Sequence, residues 1–289
     1  MIEDVLENKL REYAPANALE QENVLQELMQ QYVLASLSGV RLFAHAAFHG
    51  GTCLRMLYDM NRFSEDLDFV LKEPDSAFKW GPYLEKIRHD CEAEGIRFNV
   101  QDRATIETAV RKVFLKTDSI GQILNLELPY AQHSSKKIRI KIEVDTNPPT
   151  GAIFETRYIT FPVTAAITSM TLESGFGSKS HALLCREYTK GRDWYDFLWY
   201  SSRSVVPNYE LLANALNQQG PWAGQRPRVT AEWYVNAMKN RIDDIDWHAA
   251  RNDVARFIMS SEQESIELWS KDLFIYHLER LAEKLLGNT

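Results

Sequence analysis

Apolar positions recur at helical spacing at both ends of the chain and at alternating spacing through its middle. Ile2, Val5, Leu6, Leu10 and Tyr13 predict a helix over 2–13 that ends before Pro15. Asn17 followed by Glu20 is a capping-box pattern. It opens a longer helix with Val24, Leu25, Leu28, Met29, Tyr32 and Leu37 as its stripe, running to Gly39. Leu42, Phe43, Ala46, Ala47 and Phe48 read as a buried strand, Leu54, Leu57 and Met60 as a short helix, and 66–71 as a second strand. Trp80, Leu84, Ile87 and Cys91 mark a helix over 79–94. From Ile96 the period changes towards two, predicting strands at 96–100, 109–116, 120–128 and 138–145, the last two joined by a polar turn at 133–137. Asn147-Pro148-Pro149-Thr150-Gly151 reverses the chain, and 154–161 is one further strand. After Pro162 the pattern turns helical, with Leu172, Phe176, Leu183 and Leu184. The remainder stays helical, broken at Pro207, 220–227 and 260–261, with Asn208, Thr230 and Asp246 as caps.

This order predicts an α/β (α+β) chain with a mixed-sheet core at 1–165 and a helical region at 166–289. At 289 residues the chain is long enough for two subdomains. No apolar run reaches bilayer length, and the polar start MIEDVLENKLREY does not resemble a signal peptide, so a cytoplasmic protein is expected. Cys53, Cys91 and Cys185 lack metal or disulfide spacing. The net charge of −7 argues against a broad basic surface for duplex DNA. A local basic pocket remains available from Arg111, Lys112 and Lys116, or from Lys136, Lys137, Arg139 and Lys141.

Chemistry concentrates in HGGTCLRMLYDMNRFSEDLDFV, from His49 to Val70. A strand that ends in Gly50-Gly51 and turns into a helix offers free backbone N–H groups and the positive end of the helix dipole to an anion. Further on, Asp66 and Asp68 alternate with Leu67 and Phe69, so in a strand both carboxylates project from one face, about 6–7 Å apart. Such a pair repels unless a cation lies between, and hard oxygen ligands suit Mg²⁺, which completes its shell with waters and substrate phosphates. A phosphate cradle and a metal-binding pair within one supersecondary unit describe a nucleotidyl-transfer site.

In the 138–145 strand, Ile138, Ile140, Ile142 and Val144 form one face and Arg139, Lys141, Glu143 and Asp145 the other. A two-metal site needs a third acid opposite the pair, and Glu143 and Asp145 are both placed to supply it. A cross-strand salt-bridge ladder is the alternative. A second cluster runs from Lys179 and His181 to Lys190-Gly191-Arg192-Asp193-Trp194-Tyr195-Asp196-Phe197. Lys179 can reach a phosphate as a flexible point charge, while Arg192, Asp193 and Asp196 fit equally a capping salt-bridge set. His181 reads as structural. Trp222, Trp233, Trp247 and Trp269 are able to stack a base or to pack.

The segments GGT-x-LR and RFSEDLDF resemble the signature of the AbiEii-type nucleotidyltransferases, toxins of type IV toxin–antitoxin modules that include the MenT group, within the polymerase-β-like superfamily. Gly50, Gly51, Thr52, Leu54, Arg55, Arg62, Phe63, Ser64, Asp66, Asp68 and Phe69 carry the match. The Lys179 and Gly191-Arg192-Asp193 segments resemble the family's second signature. The resemblance implies a polymerase-β-like core and Mg²⁺ (or Mn²⁺) held by Asp66, Asp68 and an acid in the Ile140–Val144 segment, here Glu143, with Asp145 the alternative. It implies an NTP contacted by Gly50, Gly51, Thr52 and Ser64, phosphate binding by Lys179, an essential acid at Asp193, and Arg192 on phosphate or paired with an aspartate. It further implies NMP transfer with release of pyrophosphate, the tRNA 3′ end as acceptor, and a cognate antitoxin. His49 departs from the lysine that relatives often carry there. The rival readings are transfer to a small molecule or protein side chain, a non-catalytic nucleotide-binding protein that acts through a partner, and a metal-dependent nuclease.

Overall fold

The computed structural model describes residues 2–102, 119–128 and 136–287. The expected strand at 109–116 and the basic group Arg111, Lys112 and Lys116 lie outside the described residues, as does most of the turn expected at 133–137. The chain divides into two compact units, Met1–Pro148 with Thr156–Ser169, and Pro149–Glu155 with Met170–Thr289.

The first unit begins with α1 (Ile2–Tyr13) and α2 (Ala18–Gly39). The Asn17 side chain accepts the Glu20 N–H at 2.9 Å, while Glu20 turns back to accept the Ala16 N–H at 2.7 Å. The apolar run that follows is not one strand. After Arg41, in the left-handed region at φ 60°, Leu42–His45 makes a helical turn, α3, and only Ala46–His49 is extended as β1. A short apolar run does not by itself separate these two conformations. Next come α4 (Gly50–Leu57), β2 (Asp66–Leu71) and α5 (Gly81–Ala93). Met60, expected on the helix, lies beyond its end and is buried all the same.

The sheet continues with β3 (Arg97–Asp102), β4 (Ser119–Leu128), β5 (Lys136–Asp145), β6 (Phe154–Ile159) and β7 (Ala165–Met170). The strand β7 lies where the sequence pattern gave only a change of character. These form a seven-stranded sheet in the order β3-β4-β5-β2-β1-β7-β6. It is mixed: β2 pairs antiparallel to β1 but parallel to β5, and β1 is parallel to β7.

Hydrophobic burial fixes the register of the central strands. Phe69 packs on Phe48 with ring centroids 5.5 Å apart, on Trp80 at 5.9 Å and on Phe43 at 6.1 Å. Burying each large apolar side chain is worth roughly 1.5–3 kcal/mol. A one-residue slip would expose Leu67 and Phe69 and bury Asp66 and Asp68. The apolar face therefore holds the two carboxylates on the opposite one.

The second unit is helical: α6 (Leu172–Cys185), α7 (Gly191–Ser202), α8 (Tyr209–Gln218), α9 (Ala231–Asp243), α10 (Trp247–Ala255), α11 (Gln263–Glu267) and α12 (Lys271–Leu286). Asn208, Thr230 and Asp246 cap α8, α9 and α10 as expected. Phe274 stacks on Trp247 at 4.1 Å and meets Trp194 and Trp269 edge-on. Gly191 opens α7 where a Cβ would lie 1.8 Å from the Ala250 carbonyl oxygen, so only glycine permits that approach of α7 to α10. No helix among the described residues is long and apolar enough to cross a membrane.

Candidate active site

In the first unit the site is built where β1 turns into α4. Gly50 has φ +81°, which a side chain rarely adopts, and a Cβ there would lie 2.8 Å from Asp68 Oδ2. The backbone of the turn therefore lies directly against the Asp68 carboxylate. The first amides of α4 have no carbonyl one turn back to pair with, and the dipole places partial positive charge there. Gly51 packs on Arg62, where a Cβ would lie 2.3 Å from Nη2. That guanidinium is 2% exposed and donates to the Phe63 carbonyl at 3.0 Å, placing a buried positive charge beneath the turn.

Thr52 is buried, and its hydroxyl donates to the Asp66 carbonyl oxygen. It ties α4 to the start of β2, so its side chain positions the site from within. Gln26 on α2 donates to the carbonyls of Arg139 at 2.8 Å and Glu65 at 3.3 Å, and Gln30 donates to the Ser64 carbonyl at 3.2 Å. The entrances to β2 and β5 are held together by these amides. Behind them, the buried pair Arg55–Glu27 at 2.8 Å, with Tyr13 donating to Glu27 at 3.0 Å, fixes α4 to α2 and α1.

The parallel pairing of β2 with β5 sets Asp66 across from Lys141, Asp68 across from Glu143, and Val70 across from Asp145. Lys141, Glu143 and Asp145 share the face carrying the aspartates. Asp145 is 9% exposed and accepts the Asn147 N–H at 3.1 Å, starting the chain reversal. Glu143 is thus the acid opposite Asp68, with Asp145 one step further along. Lys141 Nζ lies 2.8 Å from Glu143 Oε2. Burial alone would lower its pKa, but Asp66, Glu143 and Asp68 outweigh that and hold the ammonium above the ordinary lysine value. The sequence placed Lys141 on this face without giving it a part in the site. Its spacing two residues before Glu143 was the available signal.

The donor set is hard carboxylate oxygen, which fits Mg²⁺ and not a soft metal. Among the described residues no group of three or more His, Cys, Asp or Glu side chains is placed to hold a metal ion by itself. A pair of aspartates beside an anion cradle suits an ion that takes its other ligands from phosphate and water.

The second unit gathers the other predicted residues. Lys179 bridges Asp193 at 2.7 Å and Asp196 at 2.9 Å, and Arg186 also pairs with Asp193. Asp193 is 4% exposed and Asp196 fully buried. Burial would raise the Asp193 carboxyl, but Lys179, Arg186 and Lys190 hold it far below the usual carboxylate range. Lys190 is pulled down by burial and by the charges of Arg192, Arg186 and Lys179, against the pull of Asp193. Arg192 turns the other way, 3.8 Å from Asp253 and over the Phe257 ring. His181 bonds the Gln219 carbonyl at 3.1 Å, a structural contact.

These features define a nucleotidyltransferase. The fold is similar to that of two solved structures: an H. pylori protein assigned as a nucleotidyltransferase, at 13% identity and TM-score 0.52, covering 93% of this chain and 96% of that one, and JHP933 from Helicobacter pylori, at 14% and 0.53, covering 93% of each. Curated protein sequences give no match. Residues 32–272 match the family model of the nucleotidyl transferase AbiEii toxin of type IV toxin–antitoxin systems, and the chain belongs to that family. Membership implies an antitoxin as partner.

Proposed function

We propose that this toxin transfers a nucleoside monophosphate from an NTP to the 3′ hydroxyl of a tRNA. The acceptor oxygen attacks the α-phosphorus, the bond from that phosphorus to the α,β-bridging oxygen breaks, and pyrophosphate leaves. The hydroxyl proton passes to the carboxylate face or to water. Asp66 and Asp68 would hold Mg²⁺ (or Mn²⁺), which, when bound, neutralises the triphosphate and lowers the pKa of the attacking hydroxyl. The backbone amides at Gly50 and Gly51 receive phosphate oxygens beside Asp68, with Ser64 at the entrance of the same strand. Glu143 supplies the third carboxylate and orients Lys141, whose charge faces the developing negative charge. The resemblance assigns Lys179 to nucleotide phosphate, with Asp193 holding that lysine in place.

The observation that supports this reading is the close approach of the Gly50 backbone to the Asp68 carboxylate, a phosphate-sized turn beside a hard oxygen ligand. The test incubates the protein with Mg²⁺, each α-labelled NTP in turn, and total tRNA, beside an Asp66→Asn/Asp68→Asn variant. Label on tRNA that is absent with the variant supports the proposal. Label only on protein or small-molecule acceptors would replace tRNA, the direction that the net charge of −7 favours. RNA degradation without NTP would replace transfer by nuclease chemistry.

A further inference from the structure

The four tryptophans able to stack a base part company in the structure. Trp247, half-buried, and Trp269, buried, both pack on the Phe274 ring of the helical unit. Trp222 and Trp233 remain at its surface, half-buried, with their rings 5.6 Å apart at 71° to one another.

Trp222 sits in the segment joining α8 to α9, where Gly220 (φ +100°) and Gly224 (φ +75°) make the turns. The loop is held by its own bonds. Asn217 accepts the Gly224 N–H on its carbonyl and the Arg226 N–H on its side chain, both at 2.8 Å. The Gln225 side chain donates to the Pro221 carbonyl at 2.9 Å. The same loop exposes Arg226 and Arg228. Among the described residues neither guanidinium has an ion-pair partner. No acidic residue occurs from Asn217 to Thr230, and Glu232 is the first beyond it. In a chain of net charge −7, two uncompensated arginines on the loop that carries Trp222, one of two half-buried indoles in mutual contact, complement phosphates and bases together. Aromatic faces stack unpaired bases, and arginine follows the backbone between them.

We propose that Trp222, Trp233, Arg226 and Arg228 form a stacking platform for the unpaired end of an RNA acceptor. The inference rests on the nucleotidyl-transfer reading for its partner and deepens it: the acceptor is held by a single-stranded segment. Stacking requires bases freed from pairing, so a blunt duplex binds more weakly.

The test is fluorescence anisotropy with the full chain and no NTP, using a labelled 12-nucleotide single strand and a blunt RNA hairpin. The wild type is expected to favour the single strand. Trp222→Ala weakens that binding on the order of 5- to 150-fold, the range of one lost stacking contact, and Trp222→Phe restores most of it. Arg226→Ser/Arg228→Ser flattens the slope of log affinity against log salt by about 1.4, two phosphate contacts on a single strand. Thermal melting checks that each variant folds. Equal binding of strand and hairpin, or variants that bind like wild type, overturns the proposal. The two readings fail separately. Label transfer with unaltered binding in these variants refutes the platform alone. Binding lost in the variants without transfer to any acceptor refutes the transferase reading alone.

Discussion

Lys141 and Glu143 lie two residues apart on one strand, 2.8 Å from ammonium nitrogen to carboxylate oxygen, with Asp66 and Asp68 facing them from the next strand. The carboxylates on this sheet face repel one another, and Lys141 is a positive charge placed among them that offsets the repulsion.

Lys141→Met is therefore expected to lower nucleotide transfer by about 100-fold, the scale of one lost electrostatic contact to the transition state. It should also cost about 1–2 kcal/mol of stability, less than a fully buried pair because both side chains are partly solvated. The pH dependence follows from the raised pKa of Lys141. Its contribution is complete below the unfolded value of 10.5 and is lost as pH rises through the higher folded value. Urea unfolding at pH 7 and pH 10 should give the same gap between wild type and variant, closing only in stronger alkali. A gap that closes between pH 7 and 9 contradicts this assignment.

Gly50→Ala places a Cβ 2.8 Å from Asp68 Oδ2 on a backbone at φ +81°. The left-handed conformation alone costs about 1–2 kcal/mol. The carboxylate must also move, so transfer is expected to fall at least 100-fold with the fold retained. Steady-state kinetics beside circular dichroism separates the two effects. Full activity in a folded variant would show that Asp68 need not rest against this turn.

How far the sequence carried depends on which forces act locally. The strand β2 was legible to the residue because Asp66-Leu67-Asp68-Phe69 alternates without ambiguity. So was the facing of Glu143, since Ile138, Ile140, Ile142 and Val144 mark the other side of β5. The 42–48 run was misread because apolar content alone cannot tell a helical turn from a strand. In β7, Ala165-Ala166-Ile167-Thr168-Ser169-Met170 offers weak alternation among small residues, and its place follows from pairing with β1. Gln26 carried no local signal either, and Arg62, though part of the RFSEDLDF motif, gave no sign of what it packs against. One reaches a carbonyl 113 positions away, the other matters through a glycine it packs against.

Asp193→Asn removes a carboxylate 4% exposed and paired to both Lys179 and Arg186. Leaving those cations without it is expected to cost about 3–5 kcal/mol at pH 7. Because pairing depresses the Asp193 pKa, its contribution is present above the unfolded value of 3.8 and is lost as pH falls through the lower folded value. Urea midpoints at pH 7, 4.5 and 3 should show wild type and variant equally separated at the first two, with the gap beginning to narrow at the third and closing only in stronger acid. A separation unchanged down to pH 3 would mean that the stability comes from packing around the side chain and not from its charge.

Gln26 spans the entrances of the two strands that carry the carboxylates. One amide nitrogen donates to the carbonyl of Arg139, two residues before Lys141, and to that of Glu65, beside Asp66. Each such bond is worth about 1 kcal/mol net, so Gln26→Ala should lower stability by about 1–2 kcal/mol. Its larger effect is expected on geometry. The β2–β5 register is held further along by Leu67, Phe69 and Val144, but the end bearing Asp66 and Lys141 is held by this side chain. A shift of a few tenths of an ångström there changes how the carboxylates meet a reacting phosphate, and not how the Gly50–Gly51 turn binds one. In Gln26→Ala, kcat should therefore fall about 10-fold while KM for NTP changes less than about two-fold, the signature of an interaction expressed in the transition state. Gln26→Glu offers no N–H to either carbonyl and should behave like alanine, whereas Gln26→Asn at raised substrate concentration should recover neither. A rise in KM with kcat unchanged would assign Gln26 to nucleotide binding and leave the strand geometry to the apolar register alone.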